Sequence, residues 1–190
     1  MATAQQLATI VNGVAVNELC STVDAVKTTP SIAKFTFRIR NRWETGSRNV
    51  STAETFTGAN QQLSHPQAVV LEADEPAILL GSDRAANPVE YLLHALASCV
   101  TTSMVYHAAS RGIHIARVES SFEGDIDLHG FLDLDPKIRK GYREIRVNFK
   151  IDADVPDEQL QEVLQLGTGH SPVFDSLTRG VPVRVIAQRF

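Results

Sequence analysis

The sequence predicts one α+β domain, in which an antiparallel β-meander and a β-hairpin surround a long central helix. Three observations predict it: a long apolar helix near the middle of the chain, alternating strand patterns on both sides of that helix, and no internal repeat or linker. A chain of 190 residues is long enough to bury a core in one such domain.

The segment before the central helix has the pattern of an antiparallel meander. The apolar residues Phe35, Phe37 and Ile39 alternate with polar ones there, which predicts a half-buried strand. Residues 42–58 continue as a polar hairpin or meander around Trp43, and residues 68–72 form a third strand candidate. These segments supply the strands of the predicted meander.

The central helix carries recognisable start and stop signals. Asn87 is a good N-cap, Pro88 suits the first helical position, and Glu90 complements the positive end of the helix dipole. Arg111 followed by Gly112 is a typical C-terminal signature. Apolar residues occur on most faces of this helix, so we expect a sheet or another subunit to cover it.

The second half of the chain predicts a hairpin, two helices and a last strand. Two long strands, over residues 114–128 and 142–152, are joined by a polar loop. A helix follows over Asp157–Leu166, and Ser171 caps a short helix that begins at Pro172. Alternating valines predict a final strand: Val181, Val183 and Val185.

Residues 1–30 resemble an appendage to this domain, which then covers residues 31–190. Apolar residues recur there at helical spacing, which predicts an amphipathic helix: Leu7, Ile10, Val11 and Val14. Pro30 disfavours helix at the residue before it and separates this helical appendage from the first strand.

Composition and charge exclude several classes of function. The net charge of −4 argues against a general nucleic-acid binder, which needs an excess of Lys and Arg on one face. No apolar stretch reaches the ~18 residues that span a bilayer, and the first residues lack the features of a signal peptide. Two distant cysteines make no disulfide framework, and no motif has metal-ligand spacing. We therefore expect a cytoplasmic protein without metal or cofactor, and without a membrane or nucleic-acid partner.

Cys99, in the middle of the central helix, is the leading candidate for chemistry. A free cysteine often packs as a small hydrophobic residue, and that interpretation stays open. Reactivity requires a thiolate and an electropositive neighbourhood, and a mid-helix position receives no help from the helix N-terminus. His94 and His107 are five and eight residues from Cys99, so local geometry makes neither of them the partner of a Cys–His dyad.

The stretch Asn87-Pro88-Val89-Glu90-Tyr91-Leu92-Leu93-His94-Ala95-Leu96-Ala97-Ser98-Cys99 resembles the central helix of the OsmC/Ohr superfamily. The segment from Gly130 through Tyr142 into Val147 is similar to that family's long hairpin. His170-Ser171-Pro172-Val173 falls where the family usually has Cys-Pro before a short helix. The resemblance covers roughly residues 33–190.

This resemblance implies an OsmC-like α+β fold that exists as an intertwined homodimer with active sites at the subunit interface. It implies reduction of organic hydroperoxides, in which the helix cysteine attacks the peroxide and an arginine of the N-terminal meander holds it as thiolate. A glutamate near the helix start positions that arginine, and a second cysteine forms a disulfide that an external dithiol reduces.

Carried over residue by residue, the family's pattern is only partly present. Cys99 matches the attacking thiol, but Ser171, with His170 before it, stands at the resolving position, and serine cannot form a disulfide. The glutamate position holds Val89, with Glu90 one residue later. The arginine is best matched by Arg48, and its rivals are Arg38, Arg40 and Arg42.

Two hypotheses follow for function. In the first, Cys99 is the single catalytic cysteine of a hydroperoxide reductase, assisted by Arg48 and Glu90, with Ser171 and His170 at the substrate and an external thiol as reductant. In the second, the chain is a non-catalytic dimeric module that binds a small apolar or thiol ligand at the subunit interface. The departures at Val89 and Ser171 favour the second hypothesis, and the retained thiol favours the first.

Overall fold

The computed structural model of the chain describes residues 9–189. These residues divide into two compact units: the first contains Thr9 and residues 15–92, and the second contains residues 10–14 and 93–189. The architecture mixes antiparallel strand pairs with helices, which confirms the predicted α+β class. Each unit is described by itself below.

The N-terminal segment is not the helix that its apolar spacing predicts. Strands β1 (Ile10–Val11) and β2 (Val14–Ala15) form a short hairpin, and helix α1 (Val16–Thr28) follows it. Asn12 and Gly13 both have positive φ, 53° and 77°, as a tight hairpin turn requires. The Asn-Gly turn signal therefore overrides the helical spacing of Ile10, Val11 and Val14, while Leu7 lies outside the described residues.

The first unit contains a three-stranded antiparallel sheet. Its strands are β3 (Ile39–Thr45), β4 (Arg48–Ala53) and β7 (Val70–Ala73), in the order β3-β4-β7. A separate small hairpin comprises β5 (Phe56–Gly58) and β6 (Gln61–Leu63). The predicted meander is confirmed.

The first predicted strand is shifted and is not half-buried. Regular pairing begins only at Ile39, and residues 35–38 contribute one isolated bridge, from Thr36 to Thr57. Phe35, Phe37 and Ile39 are exposed by 51, 71 and 64% respectively. Their alternation indicates a face that could be buried, but the small β5–β6 hairpin covers only part of it: Phe37 stacks on Phe56 with ring centroids 5.4 Å apart, and both Phe35 and Phe37 stay largely exposed.

Helix α2 (Pro88–Ala109) confirms both predicted ends. Asn87 Oδ1 accepts from the Glu90 N–H at 2.9 Å, and Glu90 Oε2 accepts from the Asn87 N–H at 2.9 Å, which completes a capping box. At the other end, Gly112 has a φ of 72°, the left-handed conformation typical of a residue just beyond a helix.

The C-terminal part of α2 has one buried side and one exposed side. The buried residues recur every fourth position and form the core of the second unit: Leu96, Val100, Met104 and Ala108. The opposite line is exposed: His94, Ser98, Thr102, Tyr106 and Ser110. Within the second unit the helix is therefore covered along one side only.

The predicted long hairpin is present as β8 (Ile115–Gly124) and β9 (Ile145–Ala153). The register places Val118 opposite Ile151 on an apolar face, and Glu119 opposite Lys150 on the polar face. The predicted bounds are wrong at the inner ends: the first strand stops at Gly124 and not at residue 128, where the four-residue helix α3 (Leu128–Phe131) begins, and the second strand starts at Ile145 and not at residue 142.

Two predictions at the C-terminus are wrong. Helix α4 (Leu160–His170) does not stop at Leu166 but runs through Gly167, where a methyl group would come within 2.7 Å of the Val100 carbonyl oxygen. Glycine fits this position because α4 and α2 pack closely there. Residues 181–189 form no strand, and the alternating valines are exposed by 60 to 88% because no strand pairs with them.

Candidate functional site

Cys99 lies in the second unit, in the middle of α2, and carries a free thiol. It is half-buried, between the buried line that contains Val100 and the exposed line that contains Ser98. Ser103 follows one helical turn later on the same face. The thiol therefore belongs to a face of α2 that is neither fully core nor fully solvent-exposed.

The same face of α2 contacts the joint between α4 and α5 (Pro172–Arg179). Ser103 Oγ donates a hydrogen bond of 3.2 Å to the His170 carbonyl oxygen. The structure thus brings His170 and Ser171 against the turn of α2 that follows Cys99. Two of the predicted site residues, His170 and Ser171, thus lie in the same unit as Cys99 and next to the same helix.

Ser171, at the position that the family resemblance assigns to the resolving cysteine, caps a helix. Ser171 is only 2% exposed, and its Oγ accepts a hydrogen bond from the Phe174 N–H at 3.1 Å. The hydroxyl satisfies one of the free N–H groups of the first turn of α5, with Pro172 at the first helical position. The predicted cap is confirmed, and it accounts for a buried serine at this position.

His170 stacks on His107. The ring centroids are 3.8 Å apart with an interplanar angle of 28°. Partial burial lowers the pKa of His107 below its ordinary value, and the neighbouring His170 and Arg111 lower it further. The His170 side chain therefore packs against the last turn of α2 through His107.

Arg48 lies in the first unit, on β4, and pairs with Glu72 on β7 across 3.2 Å. Glu72 is opposite Val50 in the ladder, and Arg48 is two residues from Val50 on the same face, so the pair is diagonal. The Arg48 Nε is buried without a hydrogen-bond partner among residues 9–189. This guanidinium retains a donor that requires an acceptor.

The carboxylate at Arg48 was not predicted from the sequence. Glu90 uses its side chain in the capping box with Asn87, whereas Glu72 forms the ion pair with Arg48. Alternation within residues 70–73 indicates which face of the strand Glu72 is on. The β4–β7 register that brings Glu72 to Arg48 depends on tertiary structure, so the sequence alone does not predict the pair.

The three rival arginines have other contacts. Arg40 pairs with Glu54 at 2.8 Å and Arg42 with Glu44 at 2.6 Å, on side chains exposed by 78 and 77%. Arg38 reaches the Thr55 carbonyl oxygen at 3.4 Å. Arg48 differs from Arg40 and Arg42 in being less exposed, at 34% of its side chain.

Neither a metal cluster nor a membrane span is found in the described part of the chain. Over residues 9–189, no three His, Cys, Asp or Glu side chains are grouped so that they could hold a metal ion. No helix in that range is both long and apolar enough to cross a membrane. The candidate functional residues are thus Cys99 and the α4–α5 joint in the second unit and, separately, the Arg48–Glu72 pair in the first unit.

The family profile described as OsmC-like protein matches residues 81–186, which is more than half of the chain. The chain belongs to the OsmC-like family. The matched range contains α2 with Cys99 and the α4–α5 joint with Ser171, whereas Arg48 and Glu72 lie before it. The family resemblance inferred from the central helix is confirmed.

Solved structures with the OsmC-like fold are similar to this chain. An OsmC-like protein from Mycoplasma pneumoniae superimposes with a TM-score of 0.56 and 17% identity, covering 75% of this chain and 87% of that one. An organic hydroperoxide resistance protein OsmC from Legionella pneumophila gives a TM-score of 0.51 and 15% identity, covering 75 and 88%. At such identities the likeness shows the fold alone. No curated protein sequence matches the chain significantly.

Proposed function

We propose that this OsmC-like protein reduces organic hydroperoxides with one cysteine, Cys99, in oxidative-stress defence. The free, half-buried thiol on the central helix of the family-matched segment carries the proposal. The similar Legionella pneumophila protein is called an organic hydroperoxide resistance protein, which agrees with this reaction class. We place the reaction in a reducing cytoplasm, where external thiols are available.

The proposed cycle has three balanced steps. The Cys99 thiolate attacks the terminal oxygen of the hydroperoxide, the O–O bond breaks, and the alkoxide takes a proton to leave as alcohol while Cys99 becomes a sulfenic acid. An external thiol condenses with the sulfenic acid, releasing water and forming a mixed disulfide. A second external thiol displaces Cys99 and leaves as the small-molecule disulfide. Because Ser171 has no thiol, no intramolecular disulfide is formed with it.

Arg48 is the proposed cation of this chemistry. Its buried Nε has no acceptor in the described residues, and a thiolate is an acceptor of the matching charge. Glu72, which holds one end of the guanidinium, is the proposed positioning residue. Glu90 remains the alternative for that role, as the family resemblance implies, with its carboxylate released from the capping box.

The active protein is proposed to be a homodimer. Large apolar side chains in the first unit are exposed on the face of β3 and the residues before it: Phe35, Phe37, Ile39 and Trp43. Contiguous exposed apolar residues of this size favour an interface. In the second unit, the exposed line of α2 and the unpaired valines after Gly180 offer further surface for a second copy.

A non-catalytic binding module is the second candidate function. The observation that favours it is the buried cap of Ser171, which replaces the resolving cysteine by a residue with a purely structural contact. In that case Cys99 would contact a small apolar or thiol ligand without being oxidised. The His170 side chain and the Ser103 hydroxyl would then belong to the wall of the ligand site.

Consumption of cumene hydroperoxide in excess dithiothreitol tests the two functions against each other. The comparison uses Cys20→Ser, which removes the exposed thiol of α1, and the double variant Cys20→Ser/Cys99→Ser. The reductase proposal expects turnover by the single variant and none by the double variant. Equal rates in both, with Cys99 protected from alkylation by a bound apolar thiol, would support the binding module instead.

A further inference from the structure

The His107–His170 stack is not used by the proposed thiol chemistry. Its ring centroids lie 3.8 Å apart, closer than any other pair of aromatic rings described in residues 9–189. One ring belongs to the end of α2 and the other to the last residue of α4, directly before the buried Ser171. The stack therefore closes the joint between α4 and α5 onto α2.

The contacts of the two rings indicate which Nδ1 atom donates and which accepts. His170 Nδ1 lies 3.0 Å from the Leu166 carbonyl oxygen, and because a carbonyl only accepts, Nδ1 carries the proton. Arg111 Nη1 lies 3.5 Å from His107 Nδ1, and because a guanidinium only donates, that nitrogen carries the lone pair. A neutral His107 ring thus accepts from Arg111, and a proton on its Nδ1 would remove this acceptor.

An additional proton has no favourable partner at this place. The charged and titratable groups that act on His107 are His170, from the end of α4, and Arg111, from α2 itself, and both carry positive charge when protonated. No carboxylate acts on it among the described residues. A proton on His107 Nδ1 would also face the Arg111 guanidinium, which donates to the His107 carbonyl oxygen at 2.8 Å.

Among residues 9–189, one described side-chain hydrogen bond also connects this joint to α2, from Ser103 Oγ to His170 O at 3.2 Å. Gly167, one turn earlier on α4, packs directly against Val100 and Met104. Separation of the two rings would leave this packing of α4 on α2 in place.

We propose that the His107–His170 stack, with Arg111 beside it, is a proton-operated latch: a neutral His107 ring holds the α4–α5 joint on α2, and protonation of His107 opens it. The latch is independent of whether Cys99 reduces hydroperoxides. It regulates the segment around Ser171, on the turn of α2 that follows the thiol, in response to mild acid. Imidazoles are the side chains whose charge changes in this pH range.

NMR titration of the imidazole Cε1–H signals between pH 5 and 8 tests the latch in the full-length protein. His170→Gln and Arg111→Gln should each raise the pKa of His107, because each removes a side chain whose positive charge, when protonated, opposes a proton on His107. His94→Gln, an exposed histidine on the same helix, is the matched control and should leave the pKa of His107 unchanged.

The backbone amides of residues 170–174 provide the second readout. In the wild-type protein they should shift with the same midpoint as His107, and in His107→Gln that transition should vanish. The proposal is overturned if the pKa of His107 is the same in wild type, His170→Gln and Arg111→Gln. It is also overturned if the amides of residues 170–174 do not respond to the His107 titration, and this holds whatever the hydroperoxide assay shows.

Discussion

The Ser171 hydroxyl accepts a hydrogen bond from the Phe174 N–H at 3.1 Å while Ser171 is only 2% exposed. The residue that the family resemblance places at the resolving position is thus a helix cap buried at the α4–α5 joint. A cap of this kind satisfies an N–H group that the helix cannot satisfy itself. Ser171 therefore has a structural role that can be tested by stability measurements, independently of any reaction at Cys99.

Ser171→Ala should destabilise the protein by about 1 kcal/mol, because the Phe174 N–H loses its acceptor at a buried helix start. For a chain of this length that corresponds to a fall in Tm of roughly 2–4 °C. Ser176→Ala is the matched control on the same helix, since Ser176 Oγ only donates to the Pro172 carbonyl oxygen within α5. Thermal unfolding of both variants checks the difference, and equal Tm values would refute the cap's contribution.

Gly167→Ala and Gly169→Ala should have opposite effects on stability. A methyl group at Gly167 would lie 2.7 Å from the Val100 carbonyl oxygen and 3.0 Å from Met104 Cβ, so we expect a loss of about 1–3 kcal/mol. Nothing lies within 4 Å of the corresponding position at Gly169, where alanine should stabilise the helix by up to about 1 kcal/mol. Urea unfolding measures both, and a stabilising Gly167→Ala would contradict the close α2–α4 packing.

Local signals were the predictable part of this fold. The capping residues Asn87 and Ser171, and Gly112 beyond α2, act within one helical turn, so their sequence spacing contains the whole interaction. The continuation of α4 through Gly167 was not predicted, because Gly167 packs against the backbone of Val100, and Val100 is 67 positions away in the chain.

Contacts between strands were less predictable. Alternation identified Phe37 and Val183 as strand-like residues, but a strand also needs a neighbour, and alternation does not say whether one is present. The same limit applies to the candidate site. Cys99 was predictable from the central helix, whereas the partner of Arg48 depends on the β4–β7 register that places Glu72 beside it.

Asp74 should make the stability of the protein depend on acid. It is 1% exposed, and hydrogen bonds from Ser47 Oγ at 2.6 Å and Ser82 Oγ at 2.7 Å hold its pKa well below the ordinary value. A lowered native pKa stabilises the fold above the unfolded value of about 3.9, and this contribution is lost as the pH falls below it.

The stability difference between wild type and Asp74→Asn should therefore shrink as the pH falls from about 6 to 3. Urea unfolding across this range measures the difference. The exposed Asp24, paired with Lys27 at 3.1 Å, supplies the control variant Asp24→Asn, which should show a much smaller difference. A pH-independent difference for Asp74→Asn would refute the charged, hydrogen-bonded carboxylate.

Arg48→Met should slow both the alkylation of Cys99 and hydroperoxide reduction at neutral pH. The physical reason is the loss of the proposed cation that favours the thiolate. Iodoacetamide alkylation rates in the Cys20→Ser background measure the effect. Arg42→Met, which removes an exposed guanidinium paired with Glu44, is the matched control. Identical alkylation profiles for Arg48→Met and Arg42→Met would remove Arg48 from the mechanism.

Single-turnover oxidation of Cys99 tests the central claim most directly. Cys20→Ser protein, reduced and freed of external thiol, is mixed with one equivalent of cumene hydroperoxide in the presence of a sulfenic-acid trap, and Cys99 is analysed by mass spectrometry. The reductase proposal predicts one trapped sulfenic acid at Cys99 for each alcohol produced. An unmodified Cys99 with the hydroperoxide intact would contradict it.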